Sequence, residues 1–199
     1  PYAPVSTRPE RGGSSLLRMT DTVRMRIARG VLIVMVGILL EWLLPANLTY
    51  VGVAVSAVGF VLQALGYNEY RGTVGDIWSW LAALGYFAGA LIGFVQAYAW
   101  YLFFSQPSPF LDPLFNIAVD YFGESLWFYV AIPALIDFKI FLDFTHPDDR
   151  ILLYIGLARA VSLIFALYWI VLIGWGAHFY YLYKRLPGSP SVLDILLGR

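Results

Sequence analysis

The chain has 199 residues, 60% of them hydrophobic and 13% charged, with 13 basic and 13 acidic side chains in balance, and its mean hydropathy is +0.70. A soluble domain of this length has no interior large enough for that apolar load, and a neutral chain offers no electrostatic footprint for nucleic acid, so no such partner is expected. Cysteine is absent, which excludes disulfides, thiolate metal sites and a cysteine nucleophile. The fold class these values predict is all-α: a polytopic transmembrane helical bundle with short amphipathic interfacial helices.

The chain opens on Pro1 rather than Met, as a processed product or a fragment of a longer chain does. Residues 1–13, with Pro1, Pro4, Pro9, Gly12 and Gly13, read as a flexible N-terminal arm. From Ser14 onward, Leu16, Met19, Val23 and Ile27 recur at helical spacing, with Arg18, Asp21 and Arg24 on the other side. Two readings fit: a basic amphipathic helix lying on an anionic lipid surface, or an extension of the first span.

Five spans are predicted near 27–44, 48–67, 77–104, 126–144 and 151–182, inside a single domain covering 14–183 and followed by a tail, 184–199. Each is judged against the roughly 20 apolar residues that cross a hydrocarbon core. Pro45, Ala46 and Asn47 leave room only for a tight hairpin between the first two. The third and fifth are long enough to tilt or project. With the N-terminus on the cytoplasmic-equivalent side, the inner face takes Arg8, Arg11, Arg18, Arg24, Arg26, Arg29, Arg71 and Arg150. The outer face takes only Lys184, Arg185 and Arg199. The positive-inside rule favours that orientation, in a prokaryotic cytoplasmic membrane or an organellar inner membrane, although Lys184 and Arg185 directly after the last span argue against it.

Small residues suggest how the spans pack. Gly52, Ser56, Gly59, Gln63 and Gly66 follow a heptad on the second span, and Gly85, Gly89 and Gly93 recur every four residues on the third. Both patterns let another backbone approach closely, within this chain or from a partner.

Charges inside the apolar run form a second pattern. Asp137 and Arg159 lie at matching depth, roughly 10 and 12 Å from the hairpin between the fourth and fifth spans. Lys139 has Asp143 four positions on, so the hairpin balances to neutral. The pairing is either structural or, beside a kink at Pro133, the start of a polar pathway. Glu41 and Gln63 are further possible pathway residues, and an interfacial position beside Trp42 explains Glu41 without function.

His146 and His178 stand on opposite sides of the fifth span, about 40 Å apart, too far to hold one haem between them. His178 among Tyr180, Tyr181 and Tyr183 reads as part of an interfacial aromatic belt, or as a ligand to a pigment or quinone shared with a partner subunit. Apart from bound lipid, no cofactor and no metal is expected of this chain alone, and none of the common catalytic motifs occurs. In the segment 105–125, Asp112 and Pro113 start a short surface helix with Leu114, Ile117, Ala118 and Tyr121 on one face. The tail carries Val192, Leu193, Ile195, Leu196 and Leu197, apolar enough to seek a partner or the bilayer.

The expected function is that of a non-catalytic accessory or scaffold subunit of a larger membrane complex, respiratory or photosynthetic. A small oligomeric transporter or channel using the intramembrane charges is the alternative. Expected partners are membrane lipids and other membrane subunits or further copies of the chain.

Overall fold

The computed structural model describes residues 20–74, 77–105, 113, 168–184 and 186–198. Among them every regular element is helical. Helix α1 (Asp21–Leu43) begins where Thr20 caps it, its hydroxyl accepting from the Val23 N–H at 3.3 Å. Asp21 in the first turn pairs with Arg24 at 2.9 Å, which suits the positive end of the helix dipole. That pair explains why the helix begins six residues before the predicted span at 27 and runs on without a break. Arg24 is neutralised in place, so the periodic face of Val23, Ile27, Val31 and Val34 stays buried through the basic stretch. The surface-helix reading of 14–26 therefore does not hold for residues 21–26, which continue the first helix; the rest of that stretch lies outside the described residues.

Pro45 has no N–H to continue α1. A single 3-10 turn (Ala46–Leu48) reverses the chain, closed by the Leu48 N–H on the Pro45 carbonyl at 2.8 Å. Helix α2 (Thr49–Val74) then runs back, seven residues past the predicted boundary at 67. Asn68, Glu69 and Arg71 lower the local hydropathy, but Tyr67 and Tyr70 remain on the buried face, and Arg26 of α1 pairs with Glu69 across the hairpin. Helix α3 (Ile77–Ser105) matches its predicted span closely. Helix α4 (Tyr168–Lys184) and the short α5 (Val192–Leu197) complete the described chain.

Two helical stretches, Ala46–Arg71 and Ile77–Ser105, are long and apolar enough to cross a membrane. Helix α1 has the length, but Arg24, Arg26, Arg29 and Glu41 break its apolar run. Helix α4 has 17 described residues, short of the roughly 20 that span a hydrocarbon core. The 29 residues of α3 extend about 43 Å, and its outer side is a continuous strip of Leu84, Phe87, Leu91, Phe94, Val95 and Tyr98, all exposed. Apolar strips of that length are not normal on soluble monomers.

The helices alternate in direction. Tyr50 meets Tyr101 at 5.5 Å between ring centroids, and Tyr67 meets Tyr86 at 5.6 Å, so α3 is antiparallel to α2. A Cβ placed on Gly176 would lie 3.6 Å from the Met35 methyl, while Leu186 and Pro187 line the same cavity as Met25 and Arg26, so α4 is antiparallel to α1. The end of α4 therefore lies beside the start of α1. The chemical consequence is that Arg24, Arg26, Arg29, Arg71 and Lys184 gather at one end and Glu41 stands toward the other. The predicted span over 126–144 and residues 151–167 of the next one lie outside the described residues.

An aromatic chain fills the middle of the core. Tyr86 stacks on Tyr67 and, at 6.1 Å, on Phe60. Phe60 meets Trp175 at 6.2 Å, and Trp175 stacks against His178 at 6.4 Å. These contacts tie α2 to both α3 and α4.

Candidate functional site: the seam between the first two helices

The closest approach in the described molecule is between α1 and α2. A Cβ on Gly30 would lie 2.7 Å from the Gly59 carbonyl oxygen, and one on Gly59 would lie 2.6 Å from the Gly30 oxygen. The same reciprocal contact recurs one heptad along, where Gly37 and Gly52 each face the other's carbonyl oxygen at 2.7 Å. In each helix the paired glycines are seven residues apart, the spacing that keeps one face in register along a left-handed crossing. Gly66 continues the line, with Ile27 Cγ1 at 2.5 Å from its hypothetical Cβ. At these positions the carbonyl of one helix lies where any side chain of the other would be, an arrangement suited to Cα–H···O contacts.

Three polar side chains are set into this seam. Ser56 is buried beside Gly37, and its hydroxyl donates to Glu41 Oε1 at 3.3 Å. Glu41 turns toward Gly52, with its Cγ and backbone nitrogen both 2.6 Å from that glycine's hypothetical Cβ. The expected interfacial placement of Glu41 is thus corrected in part: it stands near the helix end, but its carboxylate faces α2. Gln63 is 0% exposed beside Gly30, and among the described residues its amide oxygen and nitrogen both lack a hydrogen-bond partner.

The α3 glycines sit differently. Gly89 and Gly93 are buried among Ala82, Ala90 and Ala97, and Gly93 meets the Ala57 side chain, 3.0 Å from its hypothetical Cβ. Gly85 lies at the edge of that face, half-buried. The α2 backbone is also near, with the Ala57 Cα at 3.7 Å and the Val53 carbonyl oxygen at 4.0 Å from the hypothetical Cβ of Gly93, which is ordinary contact rather than the overlap found at the α1–α2 seam.

His178 is 1% exposed and packed on Trp175. It is not in an outward aromatic belt, because Trp175, His178 and Leu182 follow the inner face of α4 while Tyr180 projects outward. Among the described residues no group of three His, Asp or Glu side chains comes together. Asp137, Lys139, Asp143, Arg159 and Pro133 lie outside the described residues, as does the surface-helix face Leu114, Ile117, Ala118 and Tyr121.

The sequence reading missed Gly30 and Gly37, the α1 half of the seam. The signal was present: their spacing of seven matches that of Gly52 and Gly59 across a three-residue turn. It also missed the core aromatics Phe60, Tyr67 and Tyr86. Comparison with known proteins gives no match to any family model, to any curated protein or to any solved structure. What the described residues define is an all-helical bundle with two helices long and apolar enough to cross a membrane.

Proposed function

We propose that the chain is an integral membrane protein that acts as a non-catalytic accessory or scaffold subunit of a larger membrane complex. The observation that carries this reading is the α1–α2 seam. The polar groups best placed for a pathway, Glu41, Ser56 and Gln63, are embedded where two backbones touch through paired glycines. A transporter needs helices that rock or separate around its site. A hairpin locked by backbone contact suits a rigid support instead, and the long apolar strip of α3 offers lipid or a partner helix a flat surface.

In this reading the described helices α1 to α4 run up, down, up and down, and the end bearing Arg24, Arg26, Arg29, Arg71 and Lys184 faces the cytoplasmic-equivalent side. Lys184 then joins the other basic residues instead of opposing them. The fully buried, unbonded amide of Gln63 favours the second reading, a small oligomeric transporter or channel, because a polar group of that kind suits water or a cation. The test is extraction of the chain from its native membrane in mild detergent, native electrophoresis, and mass spectrometry of what comigrates. Stoichiometric foreign subunits are expected. A homo-oligomer with ion or solute flux that is lost in Gln63→Leu and Glu41→Gln contradicts the scaffold reading.

A further inference from the structure

We propose that the cavity between the start of α1 and the turn before α5 binds a phosphate-bearing anion, presented by a lipid headgroup or free in solution. The lipid source rests on the membrane reading above; the anion chemistry does not.

The cavity measures about 410 Å³ and is walled by Arg26, Arg29 and Asp21, with Leu62 and Leu186 among its apolar lining and Gly198 at its rim. That volume is within the usual range for small-molecule sites. Arg29 is the group without another task. Among the described residues its buried Nε has no hydrogen-bond partner and its guanidinium makes no ion pair. Its guanidinium packs against Gly198, which ends α5 in the left-handed conformation at φ 73°. A side chain there would occupy the space the guanidinium uses, so the glycine both closes the helix and leaves the arginine its place.

The other described charged residues lining the cavity are already engaged. Asp21 is held by Arg24 at 2.9 Å, and Arg26 is paired with Glu69 at the open side. Among the described lining residues Arg29 thus remains for an incoming anion. Its planar fork of donors matches phosphate bidentately, which a lysine would not do. Leu62, Leu186 and Met25 supply an apolar wall of the kind a glycerol backbone and the first acyl carbons require. The cavity also lies at the basic end of the bundle with Arg71 and Lys184, where anionic headgroups concentrate beside a membrane span.

The experiment uses the full chain in mild detergent, stripped of lipid and titrated with phosphatidylglycerol or with diacylglycerol of matched acyl chains, with bound lipid counted by native mass spectrometry. Phosphatidylglycerol is expected to be retained about tenfold better than diacylglycerol, which lacks the phosphate, as one charge-assisted, bidentate contact provides. Arg29→Gln removes that preference. Leu62→Trp, which fills the cavity and keeps both arginines, removes it as well. Arg71→Gln, which alters the same end but not the cavity, leaves it unchanged. Inorganic phosphate is the second arm: competition with the lipid assigns free phosphate chemistry, and no competition assigns the headgroup. Equal retention of the two lipids together with no phosphate binding, or equal anion retention by wild type and Arg29→Gln, overturns the proposal. Failure of the membrane reading is seen separately, as release of the chain from membranes by alkaline carbonate, and the phosphate arm still reports on the cavity.

Discussion

The two faces of α2 hold their neighbours by opposite means. Toward α1 the contact is backbone on backbone, through Gly30 with Gly59 and Gly37 with Gly52. Toward α3 and α4 it is ring on ring, through Tyr67, Tyr86, Phe60 and Trp175. The first interface has no room for an added atom, and the second depends on atoms already there. They should therefore fail under opposite mutations, and that asymmetry is open to measurement by thermal unfolding in detergent or by denaturant titration.

The largest effect is expected from deletion in the aromatic face. Tyr86→Ala removes the ring that contacts both Tyr67 and Phe60 and should cost about 3–4 kcal/mol. Next comes addition in the glycine seam. Gly59→Ala gains helix propensity, yet its methyl meets the Gly30 carbonyl and the Val34 backbone, so a net cost of about 2 kcal/mol is expected. Gly93→Ala meets the Ala57 side chain at 3.0 Å, with the nearest α2 backbone atoms at 3.7 and 4.0 Å, and should cost no more than about 1 kcal/mol. Gly176→Ala finds ordinary contact with Met35 and should stabilise by about 0.5 kcal/mol. If Gly93→Ala proved as damaging as Gly59→Ala, the distinction between the two faces would collapse.

That ordering bears on what a sequence shows. The repeat Gly85, Gly89 and Gly93 is the tidier motif, yet Gly93 makes a looser contact than Gly30 or Gly59, because a small-residue stripe permits close approach without specifying the residue opposite. Closeness needs a matching stripe across the turn, and Gly30 and Gly37 provide it on α1. The existence of α2 and α3 was legible from their apolar length, and the tight turn from Pro45. The true ends of α1 and α2 were not, because Arg24 and Glu69 depress hydropathy while an ion partner holds each in place. Helix direction was not legible either. It depends on contacts between residues far apart in sequence, such as Met35 with Gly176, and these also return α5 to α1, where Ile195 is 0% exposed. Glu41 could be noticed as a charge near a span end, but its turn toward Ser56 follows from the Gly37 and Gly52 contact.

The account rests most heavily on the alternation of direction across a membrane. Because the chain has no cysteine, single cysteines can be placed without background, at Thr22→Cys in the first turn of α1 at its basic end, Asn47→Cys in the turn and Ser189→Cys after α4. Each variant is reacted with a membrane-impermeant maleimide in sealed vesicles of known orientation. The account predicts that Thr22→Cys and Ser189→Cys react from the same side and Asn47→Cys from the other. Labelling of positions 22 and 189 from opposite sides, or of all three from either side, would contradict it.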